Sequence, residues 1–278
     1  MSFAQRLDRA MADRGPICLG IDPHASLLQQ WGLADDLVSL ERFVDTCVEA
    51  LAGIAAVVKP QAAFFERFGS RGVAQLERCI TGCRDAGALV IADVKRGDIG
   101  STMAAYAEAY LGPESPLSVD AITVSPYLGV GALDPAFELA ASGDRGVFVI
   151  ALTSNPEAPT IQHARLADGR TVAQSVIDEL GARNAGASPF GPFGVVVGAT
   201  IGDLPPEVAD LSGLNGPLLV PGLGAQGGTA ADVRRIFGDE LARVLPSLSR
   251  EVLRGGPSVA GLQAAARRAI DEYAFLRG

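Results

Sequence analysis

Cysteine and histidine are scarce in this chain, whose 278 residues include four cysteines and two histidines. The cysteines are Cys18, Cys47, Cys79 and Cys83. Their spacing lacks the Cys-x-x-Cys pattern of metal sites, and neither His24 nor His163 has metal-ligand spacing or an evident nucleophile partner. We therefore expect buried thiols, with Cys18 in the core of a strand, two surface histidines and no metal centre built from these side chains.

Long apolar runs and an excess of positive charge are also missing. No run approaches the roughly 18–20 apolar residues that a membrane-spanning helix needs, and no secretory signal is evident. The 23 lysines and arginines are outnumbered by 32 aspartates and glutamates, which gives a net charge of −9. This balance argues against a nucleic-acid surface but allows a locally basic pocket for a small anion. We expect a reduced, cytoplasmic protein that binds neither membranes nor nucleic acids.

Short apolar segments alternate with helical segments from one end of the chain to the other. The predicted strands are 17–22, 55–61, 89–95, 121–126, 146–152, 194–200, 218–222 and 243–249. The predicted helices lie near 36–53, 70–86, 99–111, 129–142, 170–186, 204–212, 229–237 and 257–276. Most strand candidates are near-continuous runs of Val, Ile, Leu and Ala, which is typical of parallel strands buried on both faces.

Eight strands alternating with eight helices predict an α/β fold, a closed (β/α)8 or TIM barrel, and the length fits a single such domain spanning residues 1–278. A doubly wound open sheet is the alternative. It would place a Gly-x-Gly-x-x-Gly turn after the first strand, where Asp22-Pro23-His24 stands instead. The segment 155–169 is polar and contains proline, and we interpret it as a surface excursion near the barrel mouth.

Polar residues mark the carboxyl ends of several predicted strands. Asp22 ends the first strand, Lys59 the second, and Asp93 with Lys95 the third. Later strand ends carry Ser125, Thr153 with Ser154, and Pro221 with Gly222. In a barrel, the carboxyl ends of all strands meet at one mouth, where catalysis is found. These residues, scattered in the sequence, should therefore face a common cavity.

The segment 93–98, Asp-Val-Lys-Arg-Gly-Asp, is the strongest sign of chemistry in the chain. Residues two apart on a strand share a face, so Asp93 and Lys95 should point the same way, with Asp98 in the turn beyond. Burying such charges is costly unless they pair or act on a ligand. With Lys59 they can form a neutral, mutually hydrogen-bonded array. The pattern indicates an active site, and a purely structural ion network is the alternative.

A second motif is the glycine-rich segment 221–228, Pro-Gly-Leu-Gly-Ala-Gln-Gly-Gly, between the seventh strand and a helix. Glycines let backbone N–H groups approach an anion, and the N-terminus of the next helix favours negative charge, although a plain turn is the alternative. Barrel loops after strands seven and eight often hold phosphate. Arg250 would add a fork of donors there, with Arg243 and Arg254 as competitors. Asp22 could hydrogen-bond a ribose hydroxyl or cap the following turn.

Taken together, these residues resemble the orotidine 5′-phosphate decarboxylase family, most closely its longer bacterial subgroup, over essentially the whole barrel. The family signature Asp-x-Lys-x-x-Asp appears as Asp93, Lys95 and Asp98, and the family's strand-two lysine matches Lys59. The resemblance implies that these four residues are catalytic. It further implies substrate contacts at Asp22, Ile99, Thr102, Ser154, Pro221, Gly222, Gln226, Gly227 and Arg250.

The resemblance also implies a reaction, the loss of CO₂ from C6 of orotidine 5′-phosphate to give uridine 5′-phosphate in pyrimidine biosynthesis, with no metal or other cofactor. Lys95 would stabilise the C6 carbanion and then protonate it, while Asp93 would lie beside the departing carboxylate. Lys59 and Asp98 would hold both in place. Asp98 would reach in from the second subunit of a homodimer, so the implied partners are a nucleotide substrate and a second copy of the chain.

The chain departs from the family pattern in two places, and two other functions compete. Many relatives place the phosphate-binding arginine after a Val-Gly pair, whereas Arg250 follows Leu248-Ser249, and the segment 154–193 is longer than in compact relatives. A metal-dependent relative, such as a hexulose-phosphate synthase or a keto-gulonate-phosphate decarboxylase, would carry a carboxylate for Mg²⁺ where Lys59 stands, and a lysine opposes a divalent cation. An inactive barrel that only binds nucleotide monophosphates would have no use for a carboxylate beside an anionic ligand.

Overall fold

Eight parallel strands close into a barrel in the order of the sequence, with β1 paired to both β2 and β8. This computed structural model describes residues 1–205 and 207–277. The strands are β1 (Cys18–Ile21), β2 (Val57–Pro60), β3 (Leu89–Arg96), β4 (Ala121–Val124), β5 (Gly146–Leu152), β6 (Phe193–Val197), β7 (Leu218–Val220) and β8 (Val244–Leu248). The predicted barrel is confirmed, and the doubly wound alternative is wrong because β8 returns to pair with β1.

Helices connect successive strands and cover the outside of the barrel. The α-helices found in the described ranges are α1 (Phe3–Arg14), α2 (Ala25–Gln30), α3 (Leu37–Leu51), α4 (Ala63–Glu66), α5 (Ser70–Asp85), α6 (Gly100–Leu111), α7 (Asp134–Ser142), α8 (Ala158–Gln162), α9 (Val172–Arg183), α10 (Ala230–Phe237), α11 (Arg250–Leu253) and α12 (Val259–Tyr273). Short 3-10 turns occupy Val130–Leu133, Ser212–Leu214, Gly224–Gln226, Gly238–Arg243 and Ala274–Arg277. Across the part of the chain that is described, none of these helices is both long and apolar enough to span a membrane.

The strands are buried on both faces because their side chains alternate between two apolar layers. On β3, Leu89 and Ile91 belong to the cluster inside the barrel, whereas Val90 and Ala92 belong to the cluster beneath the helices. The same two-residue period places Val57 inside the barrel on β2. This double burial explains why the strands are near-continuous apolar runs, and it forces polar residues to the strand ends.

Helix α1 was not expected from the sequence, and it closes the amino end of the barrel. Its Phe3, Leu7 and Met11 lie one helical turn apart, are almost fully buried and join the cluster inside the barrel. A capping box between Ser2 and Gln5 begins the helix. Burial of each such side chain contributes roughly 1.5–3 kcal/mol. With this end closed, the carboxyl end is the accessible mouth.

The predicted helix near 204–212 is wrong. In the described part of this segment, the Val208 N–H donates to the Pro205 carbonyl, which makes a single turn and not a helix. The hydroxyl of Thr171, the N-cap of α9, donates to the Val208 carbonyl. The side chain that caps α9 therefore satisfies a backbone carbonyl that a helix would have used itself. Only the 3-10 turn at Ser212–Leu214 follows.

The four cysteine side chains are buried, as predicted, and the indole of Trp31 is also part of the packing. All four cysteines are free and buried, and burial raises the pKa of the Cys18 thiol to about 12. A thiol with so high a pKa is not a nucleophile near neutral pH. Trp31 is buried against Phe43 and donates its indole N–H to the Leu253 carbonyl at 2.9 Å. These groups contribute to the packing of the barrel.

Candidate active site

The carboxyl ends of the strands surround a cavity of about 360 Å³. This volume lies within the roughly 300–1,000 Å³ typical of small-molecule sites. The polar lining includes Asp22, Lys59, Gln61, Asp93, Lys95, Thr123, Ser247 and Arg250. Apolar lining comes from Ile150, Val196 and Leu219, on strands β5 to β7. The cavity therefore has a charged wall formed by residues of the first strands and an apolar wall formed by residues of β5 to β7.

Asp93 lies at the centre of the charged wall and accepts four hydrogen bonds. Its Oδ2 receives Lys59 Nζ at 2.9 Å and Gln61 Nε2 at 3.0 Å. Its Oδ1 receives Lys95 Nζ at 2.6 Å and Thr123 Oγ1 at 2.8 Å. An ionised carboxylate has about four lone-pair positions, so this one is fully satisfied. Lys59 and Lys95 are the two lysines of the chain, and both contact the same carboxylate.

The electrostatics of this array keep its charges fixed. Burial alone would raise the pKa of the Asp93 carboxyl, but the ammonium groups of Lys59 and Lys95 outweigh it and hold that pKa well below its usual range. Burial alone would lower the pKa of Lys59, and the carboxylates of Asp93 and Asp22 raise it well above its usual range instead. Asp93 is therefore anionic and Lys59 cationic across the neutral range.

The two lysines differ in how they face the cavity. The Lys59 side chain is 8% exposed and Asp93 is 9% exposed, whereas the Lys95 side chain is 45% exposed. The Lys95 backbone is left-handed, with φ of 47°, and the β3–β4 register shifts between Ala92 and Arg96. This turn of the backbone presents the Lys95 ammonium to the open part of the cavity. Asp93 and Lys95 thus both line the cavity, but the end of β3 that carries Lys95 is irregular and not a regular strand.

Two buried polar atoms beside the array have no hydrogen-bond partner among the described residues, Asp22 Oδ1 and Ser249 Oγ. Both residues line the cavity. They pack against Gly20, where an added Cβ would lie 2.6 Å from the Ser249 Cβ and 3.1 Å from Asp22 Oδ2. Buried polar atoms are usually paired, so these two oxygens mark a wall suited to a hydroxyl-bearing ligand.

The glycine-rich loop contributes one side of the cavity. Pro221, Gly222 and Gln226 line it, and Gly222 has φ of 97°, which suits glycine alone. Gly227, with φ of 95°, ends the 3-10 turn Gly224–Gln226 and is exposed outside the cavity lining. The loop therefore turns its first residues and Gln226 towards the cavity, while Gly227 shapes the turn.

The N-terminus of α10, the helix that follows this loop, is not open to an anion as expected, because it is capped by the protein's own side chains. The Thr229 side chain accepts the Asp232 N–H, and Asp232 in turn accepts the Thr229 N–H, which makes a complete capping box. The Asp232 carboxylate already supplies the negative charge that the start of α10 favours. An anion in the cavity would accordingly bind the loop and not the start of α10.

Among the three candidate arginines, Arg250 is the one placed in the cavity lining. It opens α11, two residues after the last residue of β8, and lines the same cavity as Gly222 and Gln226 of the glycine-rich loop. Arg243 bonds to Glu240 and to the carbonyls of Gly216 and Leu211 before β8 begins. Arg254 is exposed beyond the end of α11. The cavity thus has one arginine near the loop that could bind a phosphate.

Comparison with known proteins identifies the family of this chain. A family model described as orotidine 5′-phosphate decarboxylase / HUMPS matches residues 15–264. The chain belongs to this family. The matched range includes all eight strands and every residue of the charged wall, so the family assignment and the site rest on the same part of the chain.

Relatives resemble the chain almost from end to end. An orotidine 5′-phosphate decarboxylase of Salinispora arenicola is 65% identical over 269 residues, which are 97% of this chain and 96% of the relative. One from Streptomyces coelicolor is 60% identical over 266 residues, 96% of this chain and 95% of the relative. A crystal structure from Streptomyces avermitilis, assigned to the same enzyme, has a TM-score of 0.96 at 59% identity and covers 99% of this chain and 95% of that chain.

Asp98, the last residue of the family signature, and Ile99 and Thr102, which follow it, lie outside the cavity lining of this single chain. Asp98 is partly exposed, and its Oδ1 accepts the N–H of Ile99 at 2.8 Å. Ile99 is 62% exposed and Thr102 is exposed on the first turn of α6. The single chain therefore does not bring Asp98 to the two lysines, although it leaves all three side chains accessible to another molecule.

Ser154 is likewise placed beside the cavity and not in its lining. It is exposed and lines a smaller neighbouring cavity of about 210 Å³. Thr153 lines both cavities, so Ser154 lies next to the larger cavity that holds the charged wall. The predicted excursion 155–169 is largely exposed and contains the short helix α8.

Several lining residues were missed from the sequence. His24, predicted to be a surface residue, is half-buried in the cavity lining, with its ring 4.2 Å from that of Phe64. Burial lowers its pKa, Arg250 lowers it further, and Asp22 opposes this. Gln61 had a usable signal, since it lies two residues beyond the strand-two lysine and so shares its face. Thr123 had none, because threonine is common in strands.

Proposed function

We propose that this protein decarboxylates orotidine 5′-phosphate at C6, giving uridine 5′-phosphate and CO₂ in the biosynthesis of pyrimidine nucleotides, without a cofactor. One observation carries the proposal. A carboxylate is held between two ammonium groups in a cavity that also carries a glycine-rich loop and an arginine. The charges suit the reacting carbon, and the loop with its arginine suits a phosphate. The match to relatives with this activity supports the same reaction here.

Lys95 is the group that acts on the reacting carbon. The bond between C6 and the carboxylate carbon breaks, CO₂ leaves, and the electron pair stays on C6. The ring delocalises this pair poorly, so electrostatic stabilisation is decisive. Lys95 presents the more accessible of the two ammonium groups. It stabilises the carbanion, gives its proton to C6 and regains a proton from water.

Asp93 contributes in two ways. It repels the substrate carboxylate, and two like charges about 4 Å apart at an effective dielectric of about 20 repel by roughly 4 kcal/mol. The best enzymes lower barriers by up to about 23 kcal/mol, so repulsion is a minor share. Its larger role is to fix the Lys95 ammonium, together with Lys59, in a site that needs no reorganisation during the reaction.

The remaining lining residues bind the parts of the substrate that do not react. Asp22 Oδ1, buried and without a partner among the described residues, accepts a ribose hydroxyl. Pro221, Gly222 and Gln226 of the loop, together with Arg250, hold the 5′-phosphate. Binding energy from these remote groups is used to hold the base against the lysines. The phosphate site is thus part of the catalyst although it never touches C6.

The Arg250→Ala variant should lower kcat/KM for orotidine 5′-phosphate about 10²-fold and leave the slow turnover of unphosphorylated orotidine nearly unchanged. The reason is that Arg250 acts through the phosphate, and a charge-assisted bidentate contact is worth about 1.5–3 kcal/mol. The loss of orotidylate absorbance measures both reactions. Arg254→Ala is the matched control, because Arg254 is exposed outside the cavity. Equal losses on the two substrates would contradict the phosphate role.

We propose that the functional unit is a homodimer in which Asp98, Ile99 and Thr102 of one chain complete the site of the other. All three side chains are accessible and follow directly on the strand that carries Asp93 and Lys95. The exposed apolar residues Tyr127 and Leu128 follow β4, the neighbouring strand. An apolar surface beside the mouth is what an isologous dimer would cover.

Mixing Lys95→Ala with Asp98→Ala subunits should restore activity that neither variant has alone. In a twofold dimer with a shared site, each mixed dimer keeps one intact pair, so random mixing should recover about a quarter of the wild-type activity. Mass spectrometry of the mixture verifies that mixed dimers have formed. Mixed dimers without recovered activity, or a monomeric active protein, would show that Asp98 does not cross an interface.

The donor set fits a metal-dependent relative poorly. Lys59 Nζ lies 2.9 Å from Asp93 Oδ2, and so an ammonium takes the position beside this carboxylate that a divalent cation would need. Within the described ranges, no three His, Cys, Asp or Glu side chains are grouped as metal ligands. We also propose that residues 1–278 form a single domain and that the protein works in the cytoplasm, where its four thiols stay reduced.

A further inference from the structure

Thr123 on β4 connects the central carboxylate of the site to the backbone of the lysine that faces the cavity. Its side chain donates to Asp93 Oδ1 at 2.8 Å and accepts the Lys95 N–H at 3.0 Å. The residue is 1% exposed. We propose that Thr123 is a positioning residue, which fixes the Asp93 carboxylate and the Lys95 backbone relative to each other. The inference rests on the proposed decarboxylation and adds a part of the site that the family signature does not contain.

The direction of these two hydrogen bonds is unique. A hydroxyl has one proton to donate, an ionised carboxylate can only accept, and a backbone N–H can only donate. The Thr123 proton must therefore point to Asp93, and its lone pair must receive Lys95. A serine can make the same two bonds, whereas a valine can make neither. The role thus depends on the oxygen atom and not on the shape of the side chain.

The bond to Lys95 replaces a regular strand contact at the point where the strand turns. Lys95 has φ of 47°, a left-handed conformation that residues with a Cβ rarely adopt. The β3–β4 register shifts between Ala92 and Arg96, and the Ser125 N–H resumes the ladder by donating to the Arg96 carbonyl at 2.8 Å. The Thr123 oxygen stands within this gap and satisfies the Lys95 N–H. It thereby holds the backbone turn that presents the ammonium to the cavity.

The bond to Asp93 completes the set of four donors around the carboxylate. Each oxygen has one lysine and one neutral donor: Lys59 with Gln61 on Oδ2, and Lys95 with Thr123 on Oδ1. The neutral donors fix the plane of the carboxylate without adding charge. Without Thr123, the Lys95 ammonium would be the sole donor to Oδ1, and it would be free to shift with that oxygen away from the reacting carbon.

The test compares Thr123→Val, which keeps the branched shape, with Thr123→Ser, which keeps the hydroxyl. Misplacement of a catalytic group by about 1 Å can cost about 10²-fold in rate. We expect Thr123→Val to lose about that factor in kcat with KM for orotidine 5′-phosphate little changed, because the ribose and phosphate contacts remain. Thr123→Ser should recover most of kcat. Thr81→Val, exposed on α5, is the matched control and should match the wild type.

A second readout requires no substrate. Since the chain has two lysines, selective labelling with 15N-lysine gives two backbone amide signals, Lys59 and Lys95. Hydrogen exchange at Lys95 should accelerate in Thr123→Val relative to Lys59, and stay slow in Thr123→Ser. Equal loss of kcat in both Thr123 variants, or unchanged Lys95 exchange in Thr123→Val, would overturn the inference. A wild type without decarboxylase activity would refute the proposed function instead, and the exchange rates would still decide the role of Thr123.

Discussion

Replacement of Lys95 by alanine should lower kcat/KM for orotidine 5′-phosphate by at least about 10⁴-fold. In the proposed mechanism Lys95 combines two tasks: a positioned general acid contributes about 10²–10⁴-fold, and loss of one preorganised donor at developing charge costs about 10²–10³-fold. Its ammonium lies 2.6 Å from Asp93 Oδ1 and faces the cavity. The loss of orotidylate absorbance, followed at enzyme concentrations high enough to detect the residual rate, measures the effect.

Two controls separate catalysis from folding in this variant. The Lys95 side chain is 45% exposed, so its removal should leave the thermal unfolding midpoint close to that of the wild type. Arg78→Ala removes another cation, one that pairs with Glu41 and Asp45 on the outer helices, and should keep full activity. A Lys95→Ala variant within tenfold of the wild type would mean that the proton and the stabilising charge come from elsewhere. A wild type no faster than Lys95→Ala would leave the barrel as a binder of nucleotide monophosphates.

The Asp93→Asn variant should be destabilised by about 3–5 kcal/mol, because it leaves the buried Lys59 ammonium without its counterion. Lys59 is 8% exposed at the side chain and bonds to Asp93 at 2.9 Å. Decarboxylation should fall as well, since Lys95 loses the carboxylate that holds it. Urea unfolding at pH 7 measures the free energy of unfolding, and the absorbance assay measures the rate.

A double variant tests whether the cost arises from an uncompensated charge. Lys59→Met with Asp93→Asn removes both charges and keeps the volume, so it should be more stable than Asp93→Asn alone. It should nevertheless be inactive, because the proposed catalysis requires the charges of Lys59 and Asp93, whereas folding does not. If Asp93→Asn were as stable as the wild type, the two groups would not form the buried pair described here. An active double variant would make the array a purely structural ion network.

The stability that this pair contributes should depend on pH in a defined way. The folded pKa of Asp93 is lowered, so its contribution is present above the unfolded value of about 3.9 and is lost as pH falls through the folded value. The folded pKa of Lys59 is raised, so its contribution is present below about 10.4 and is lost as pH rises through the folded value. The stability difference between wild type and the Lys59→Met, Asp93→Asn double variant should therefore be flat between about pH 5 and 9.

The barrel was predictable from the sequence because every strand is buried on both faces. That burial requires apolar runs such as the one in β5, and it confines polar residues such as Lys59 and Asp93 to the carboxyl-terminal halves of their strands. The convergence of strand ends then follows from closure of the sheet, without knowledge of any helix. Helix α1 was not predicted, although its Ser2–Gln5 capping box and its apolar face are both readable in the sequence.

Other features depend on tertiary contacts and carry little local signal. The segment near 204–212 has residues that are compatible with a helix, yet the Thr171 hydroxyl donates a hydrogen bond to one of its backbone carbonyls, that of Val208. The left-handed backbone of Lys95 is invisible in a strand pattern, because it arises from a register shift against β4. His24 follows β1, and its ring packs against the ring of Phe64, a residue that is distant in the sequence. Tertiary context overrides local propensity at each of these positions.

The most direct measurement of the central claim, a metal-independent electrostatic decarboxylation, is the product formed by the purified protein from orotidine 5′-phosphate in D₂O with excess EDTA. The account predicts rapid formation of uridine 5′-phosphate that carries deuterium at C6, because the exchanged ammonium of Lys95 delivers its isotope to that carbon. In the proton NMR spectrum of the uridine 5′-phosphate product, the H6 signal should be absent. Unchanged substrate, protium at C6, or turnover that begins only when Mg²⁺ is added would contradict the account.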